Sequence, residues 1–522
     1  MINLAELAQR AAGLNPQAPA LIDPVLGVST SFGALHTRTE RLAAALRGTY
    51  RTAFGGRVAV LSRNSIELLE LYLAAARGGM LLFPLNWRFS PSQVIEALVD
   101  AEPSVVFYEH EFKAVVREIQ EKVDVAHWVE FWPGQDSEYE ELLRQSDRSF
   151  ESQRAFLPDS TTLSQQPFLA ISTGGTTGIS KSAVHSQSSY GACMLDYLAA
   201  ARIAENDVYM LLGQLFHVGG YMPLAYLAMG RPAVIMDFEA DGVLDAIEAE
   251  RVTGFFAIAT MLPRLVNALK LTQHDMRSVR LVEYGGAPMG EEVIREAANL
   301  FEADLMQAWG MSEFGPGTYL SPEAHRRALR GDRPELLRSC GQAALFSHIA
   351  LFDEDGVLIP RDSSTMGEIC HKGPNHMISY WNKPNETAEV QRDGWILTGD
   401  GGTWDEEGYI FIVDRIKSMI ISGGENIFPS EIERMLGNHP DIAEVVVLGV
   451  PDPEWGEVVK AVVVRSPGAA IAEADVTRYV EEHLGSFKKP RIVEFLDVLP
   501  TTPTGKINRK ALGQGSIVPA SP

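Results

Sequence analysis

The sequence predicts an α/β protein: a large N-terminal domain of α/β subdomains carrying a small β unit, followed by a smaller α+β C-terminal domain. Three observations predict it. Short apolar strands alternate with helical patterns over residues 57–110. The same alternation returns over 207–310. The texture then changes to short strands and turns from residue 339, and to a compact mixed unit after about 415. Alternation of strand and helix implies a largely parallel sheet covered by helices.

The elements follow in order. The N-terminal stretch has an early Glu6 and no apolar signal core, so it reads as a retained helix. Arg57-Val58-Ala59-Val60-Leu61 reads as a buried strand. Ser65 to Gly78 reads as a helix with Leu68, Leu69, Leu71, Tyr72 and Ala75 as its apolar stripe. Met80 to Pro84 is strand-like, and Ser90-Pro91 supplies an N-cap and first-turn proline for the next helix. Ser104 to Tyr108 is strand again. Residues 133–166 are polar, acidic and aperiodic in places, and read as a surface connection. Further strands are expected at 207–212, 232–236, 253–258, 279–284 and 303–306. Ile349 to Gly356 and Gly367 to Cys370 suggest the small β unit. Strands near 444–450 and 458–464, with helices near 429–438 and 472–485, make up the C-terminal unit. The expected domains are 1–415 and 416–512, with a Gly/Ser/Pro-rich disordered tail at 513–522.

Composition narrows the function. The chain has 522 residues, of which 46% are apolar, enough for several domains with large cores. It holds no apolar run near the ~20 residues that a membrane helix needs. Three widely spaced cysteines exclude a cysteine-based zinc site and a disulfide framework, and fit a reducing, cytoplasmic setting. A net charge of −23 repels nucleic acid, so no nucleic-acid partner is expected, and an anionic substrate must be received by local positive charge. The acidity also serves solubility.

The densest chemistry lies at Thr173-Gly174-Gly175-Thr176-Thr177-Gly178-Ile179-Ser180-Lys181. Glycines let a backbone turn tightly and present N–H groups, threonine hydroxyls add donors, and the lysine adds charge. That mixture suits a polyphosphate. It is not a Walker loop, because Ser180 stands where that motif needs glycine before the lysine. A Gly/Thr hairpin without a ligand is the alternative.

Other polar segments stand where a core would not need them. Tyr284-Gly285-Gly286-Ala287-Pro288 follows a strand, as does Gln307-Ala308-Trp309-Gly310-Met311-Ser312-Glu313, and α/β sheets bind ligands at the carboxyl ends of strands. Downstream come Trp395 to Asp400, Asp414-Arg415-Ile416-Lys417, Ile420 to Asn426 with Gly423 and Gly424, and Pro500 to Lys510 with Lys506. Singly, Glu313 reads as a solvated carboxylate, Lys506 as a surface lysine and Asp400 as a turn residue.

Together and in this order, over residues 15–512, these motifs resemble the adenylate-forming superfamily of acyl-CoA synthetases, carrier-protein adenylation domains and beetle luciferases. The resemblance implies a two-step reaction. A carboxylate attacks the α-phosphate of ATP to give an acyl-adenylate and pyrophosphate, and a thiol then displaces AMP. It implies that Thr173, Gly174, Gly175, Thr176, Thr177 and Lys181 hold the β and γ phosphates. Gly285, Gly286 and Ala287 would pack on adenine. Trp309, where tyrosine is usual, and Gly310 would line the nucleotide and acyl sites. Ser312, where threonine is usual, would reach the α-phosphate, and Glu313 would be the Mg²⁺ carboxylate. Asp400 would take the ribose hydroxyls, Arg415 the ribose–phosphate side, and Lys506 would be the catalytic lysine. The phosphate loop departs from the pattern at Gly174, Ser180 and Ser182, where Ser, Pro and Gly are usual. One hydroxyl is lost and proline no longer fixes a backbone angle there.

His217, in Gln214-Leu215-Phe216-His217-Val218-Gly219-Gly220-Tyr221, discriminates among branches. Amino-acid-activating members carry aspartate after the phenylalanine; Phe-His resembles the acyl- and aryl-CoA synthetases. Coenzyme A is therefore the expected thiol, with Gly423 and Gly424 beside its pantetheine, and Lys488, Lys489 and Arg491 as a basic cluster that suits its phosphates or caps a solvated helix end. Lys417 stands at the family's hinge, so the C-terminal domain is expected to be mobile and to alternate between two poses. The segments expected to line the acyl pocket, His217–Tyr221, Ala257–Met261, Gly285–Pro288 and Trp309–Gly317, contain no Lys or Arg and no acid but Glu313. A hydrophobic fatty, aryl or bulky cyclic acid is favoured. Loading of an acyl carrier protein, a luciferase-like oxygenase and a non-catalytic binder are the other readings. Oligomeric state stays open, a homodimer included.

Overall fold

The structure, a computed structural model, describes residues 3–146, 159–173, 181–423, 425–501 and 507–513. The described chain divides into two compact units. One holds the residues up to 173, 181–349 and 371–396; the other holds 350–370 and those from 397 on.

The first unit contains two large sheets. Among the described residues one has nine strands, in the order Gln342–Ala343, Gly315–Leu320, Asp304–Met311, Leu281–Gly285, Gly254–Ile258, Tyr209–Leu211, Ala233–Ile235, Pro19–Asp23 and Val28–Ser31. It is parallel from Asp304–Met311 through Pro19–Asp23 and antiparallel at both ends. The other has seven, in the order Ser379–Tyr380, Ser182–Ser186, Pro167–Ser172, Leu81–Leu85, Arg57–Leu61, Val105–Glu109 and His127–Phe131. Its strands are parallel except for the antiparallel pairs that Ser182–Ser186 makes with its two neighbours. The α/β architecture expected from the alternation is present in both.

Local signals set the boundaries. Ser65 caps the helix Ile66–Gly78, accepting from the Leu68 N–H at 3.2 Å, and Gly79 ends it at φ +67°. Ser90 and Gln93 form a reciprocal capping box at the start of Pro91–Ala101.

Two expectations fail for one shared reason. The helix Ile66–Gly78 is buried all round, not along a stripe. The 133–166 segment is not merely a surface connection, because Glu138–Gln145 is a helix whose Tyr139 is fully buried. Buried Glu70 links the two: Arg38 binds it through Nε at 2.5 Å, and Tyr139 donates to it at 2.6 Å. A carboxylate that has both an ion-pair partner and a hydrogen-bond donor can be taken out of water. Periodicity could not show this, because Arg38 lies 32 residues away in sequence.

In the second unit, residues 400–404 of the strand Trp395–Trp404 pair with Ile410–Arg415, bringing Asp400 opposite Arg415. Beyond them comes the long antiparallel pair Ile442–Asp452 and Gly456–Arg465; the latter strand also pairs with Ile492–Phe495 in parallel and, at Gly456, with Ser422 of Ile420–Ser422. Helices Pro429–Gly437 and Glu473–Leu484 cover one face, over Ile432, Leu436, Val459, Val463, Val476 and Val480. These are the expected elements. Residues 514–522, most of the expected tail, lie outside the described residues. Among the described residues no helix is long and apolar enough to cross a membrane.

Candidate active site

Strand register aligns three of the expected pocket segments. Ile258 pairs with Gly285 and Gly285 with Ala308, so two strands end in one row at the carboxyl edge of the nine-stranded sheet, beside a third that runs on to Met311. Glycine is required in this row. A Cβ on Gly285 would lie 2.3 Å from the Ala308 carbonyl oxygen, and one on Gly310 would lie 1.7 Å from that of Gly315. Gly286 adopts φ +79°, and it and Ala287 are exposed. Trp309 tilts against Phe314, ring centroids 5.7 Å apart. Two positions below Gly285 the strand buries Glu283, which accepts from the Tyr197 hydroxyl at 2.5 Å; burial pushes its carboxyl up to about 8.

The turn that carries Ser312 and Glu313 is held from four directions. His185 Nε2 donates to the Ser312 carbonyl at 2.7 Å. The Met377 N–H donates to the Glu313 carbonyl at 2.7 Å, and Asn375 Nδ2 to that of Phe314 at 2.9 Å. The Tyr380 hydroxyl donates to Glu313 Oε1 at 2.5 Å. Burial holds His185 down at about 4, so it is neutral at physiological pH and its Nε2 carries the proton the carbonyl needs. Phe314 also stacks on His371, 4.1 Å between centroids and 2° between planes, and His371 is fixed by Ser347 and His376 at 2.8 Å each.

The phosphate-loop segment enters from the seven-stranded sheet. Strands Pro167–Ser172 and Ser182–Ser186 pair through Ser172 and Ser182, and the Thr173 N–H donates to the Lys181 carbonyl at 2.7 Å, closing the loop at its base. Ser182 thus serves as an ordinary first strand residue. Lys181 Nζ stands 5.0 Å over the Tyr380 ring. Lys181 and Glu313, expected in one site, therefore both meet Tyr380. Gly174, Gly175, Thr176 and Thr177 lie outside the described residues.

His217 follows a segment pinned by three distant side chains. Asn64 donates to the Gly213 carbonyl and accepts from the Leu215 N–H, both at 2.9 Å. Tyr72 donates to the Leu215 carbonyl at 2.5 Å, and Trp87 to Gln214 Oε1 at 2.7 Å. His217 directly precedes the single turn Val218–Gly220, which leads into the helix Tyr221–Ala228.

In the second unit Arg415 Nε meets Asp400 Oδ1 at 2.6 Å, and its Nη1 donates to the Thr398 carbonyl at 3.1 Å. Gly423 is required at φ +60°: a Cβ there would lie 2.7 Å from the Trp455 ring, which also carries the Arg491 guanidinium at 4.2 Å. Lys488 and Lys489 are paired with Glu431 and Glu481, so those two charges are already engaged. Lys417 lies on the turn Ile416–Ser418. Gly424 and Lys506 lie outside the described residues.

Sequence reasoning missed His185, Asn375 and Tyr380. Each reads as an ordinary strand or loop residue, and only the pairing of Ser379–Tyr380 with Ser182–Ser186 brings Tyr380 to Glu313. Among the described residues no cluster of three or more His, Cys, Asp or Glu could hold a metal by itself. One carboxylate, Glu313, with one oxygen fixed by Tyr380, does fit Mg²⁺, which keeps waters and phosphate oxygens and takes one or two carboxylates.

Comparisons with known proteins show the family. The model of the AMP-binding enzyme family matches residues 8–381, and that of the AMP-binding enzyme C-terminal domain matches 431–506. An indoleacetate–CoA ligase of Aromatoleum aromaticum is 35% identical over 98% of each chain. A fatty acid–[acyl-carrier-protein] ligase, ScoC, of Streptomyces coeruleorubidus is 32% identical over 95% of this chain and 93% of its own. The crystal structure of ATP-bound MatB from Rhodopseudomonas palustris superposes with a TM-score of 0.86 at 29% identity, covering 98% of this chain and 99% of that one. The chain belongs to the AMP-binding enzymes, the adenylate-forming superfamily, on its acyl-CoA synthetase branch.

Proposed function

We infer that the protein is an ATP-dependent carboxylic acid:CoA ligase acting on a hydrophobic fatty, aryl or bulky cyclic acid. The observation that carries this is the meeting of Lys181 and Glu313 on Tyr380, at the base of a Gly/Thr loop and beside the carboxyl edge where an acid and a nucleotide would lie. A carboxylate is a poor electrophile because oxide is a poor leaving group. Its oxygen attacks the α-phosphorus of ATP and pyrophosphate leaves; the thiol sulfur of CoA then attacks the acyl carbon, losing its proton, and AMP leaves. Catalysis of such transfers is mostly positioning and charge stabilisation.

The assignments rest on the residues. Thr173, Gly174, Gly175, Thr176, Thr177 and Lys181 hold the β and γ phosphates. Gly285, Gly286, Ala287, Trp309 and Gly310 form the adenine and acyl walls, and Ser312 reaches the α-phosphate. Glu313 would hold Mg²⁺, which supplies charge neutralisation on the phosphates. Asp400, already oriented by Arg415, takes the ribose hydroxyls. Lys506 stabilises charge on the pentavalent phosphorus, and Lys417 is the pivot at the 415/416 boundary of the two domains. Gly423 and Gly424 flank the pantetheine, and His217 serves the acyl side. Segments at the carboxyl edge without Lys or Arg, and with no acid but Glu313, support the apolar acid. A cytoplasmic enzyme is the setting this chemistry suits.

A second reading, loading of an acyl carrier protein, is favoured by the likeness to ScoC. One experiment separates them: the protein is incubated with ATP, Mg²⁺, CoA and a panel of fatty, aryl and polycyclic acids, and products are read by mass. An acyl-CoA is expected. Adenylate accumulating without thioester would transfer the assignment to a carrier protein.

A further inference from the structure

We propose that Tyr380 is a positioning residue that sets the metal-binding carboxylate and the phosphate-binding lysine relative to each other, a role that rests on the assignment of Glu313 and Lys181 above. The phenol offers two different surfaces. Its hydroxyl donates to Glu313 Oε1 at 2.5 Å, and its ring face receives Lys181 Nζ at 5.0 Å. The one side chain therefore touches both an anion and a cation that ATP must find at a fixed spacing.

Tyr380 is itself tightly held. It pairs with Ala183, two residues beyond Lys181, while the Ile378 and Trp381 N–H groups donate to Val184 and Ser182 at 2.6 and 2.8 Å. Trp381 Nε1 donates to the Asp100 carbonyl at 2.8 Å, and its ring meets Phe83 edge-on at 5.5 Å. Tyr380 and Glu313 are both 6% exposed. A carboxylate with one oxygen tied to a buried hydroxyl presents its other oxygen in a fixed direction. Hydrogen-bond partners of this kind orient metal ligands, and their loss typically costs about 10- to 100-fold in metal affinity. A cation over a phenol face adds a smaller restraint.

The role separates into two measurable parts. Tyr380→Phe removes the hydroxyl and keeps the ring; Tyr380→Leu removes both. ATP binding to the full-length protein is measured by calorimetry across a Mg²⁺ series, with Mn²⁺ binding in the presence of ATP followed by electron paramagnetic resonance. Tyr380→Phe should raise the divalent-ion concentration needed for half-maximal effect about 10-fold, leaving ATP affinity at saturating Mg²⁺ within about twofold of wild type. Tyr380→Leu should weaken ATP a further ~2- to 5-fold at saturating Mg²⁺. Wild-type metal dependence in Tyr380→Phe, or an equal loss at every Mg²⁺ concentration as a purely structural tyrosine would give, overturns the proposal. Glu313→Gln is the control. If it shifts the metal requirement and Tyr380→Phe does not, the inference fails and the site assignment stands; if neither does, the assignment of Glu313 itself fails. Should Tyr380→Phe not fold, Glu313→Asp, which withdraws the carboxylate from the hydroxyl by one methylene, must give the same metal shift, and wild-type dependence there overturns the proposal.

Discussion

Arg415 faces Asp400 across two antiparallel strands and meets it at 2.6 Å, while Asp400 itself is 4% exposed. The guanidinium fixes one oxygen of the carboxylate proposed to take the ribose hydroxyls. Asp400→Asn keeps the shape and removes the charge. It is expected to raise the KM for ATP about 10- to 100-fold, the scale of a charge-assisted hydrogen-bond pair. Initial-rate kinetics of pyrophosphate exchange check this; an unchanged KM would remove Asp400 from the ribose site.

The two half-reactions should separate by residue. Lys506→Ala is expected to lower adenylation by roughly 10²- to 10³-fold, the loss of one preorganised electrostatic donor, while thioester formation from supplied acyl-adenylate persists. Lys417→Pro should do the reverse, sparing adenylation more than thioester formation. Pyrophosphate exchange and CoA consumption from synthetic adenylate measure the two steps independently. Equal loss of both in Lys417→Pro would end the hinge assignment.

Gly310→Ala tests the backbone contact at the carboxyl edge. The added methyl would lie 1.7 Å from the Gly315 carbonyl oxygen, so the two strands must part. A loss of about 1–3 kcal/mol is expected, the range for an added methyl that forces a backbone shift, and denaturant titration reads it. A stable Gly310→Ala protein would mean that this turn can open freely.

Glu283 predicts a pH signature. Its carboxyl is raised by burial to about 8, so the folded state holds a proton that the unfolded chain releases near its ordinary value of 4.5. Folding is then favoured by protonation, and the group's contribution declines as pH rises from about 4.5 through about 8. Glu283→Gln is neutral at every pH and should flatten that decline. The measurement is the thermal midpoint from pH 5 to pH 8 for both proteins; parallel profiles would show that Glu283 is ionised in the fold.

Much of this was legible in the sequence. The strands expected at 57–61 and 279–284 and the helix expected from Ser65 to Gly78 rest on local signals, and the structure has them at 57–61, 281–285 and 66–78. What stayed illegible depends on partners far apart in the chain. Glu70 is buried because Arg38 and Tyr139 reach it, and Glu313 is aimed because Tyr380 reaches it from 67 residues away. His185 looks like one polar residue in a strand until the sheet brings it under Ser312. Spacing can announce which side chains do chemistry; it does not reveal which ones hold them still.

The row Ile258, Gly285 and Ala308 has a practical consequence for redesign. Ladder hydrogen bonds fix these three positions against one another, so they act as a common datum for the loops that leave the sheet. A library that varies residues beyond the two strands that end in the row, such as Thr260 and Pro288, would alter the surface at this edge without disturbing the register beneath it. Diversifying one step earlier would spend most of its variants on broken sheets.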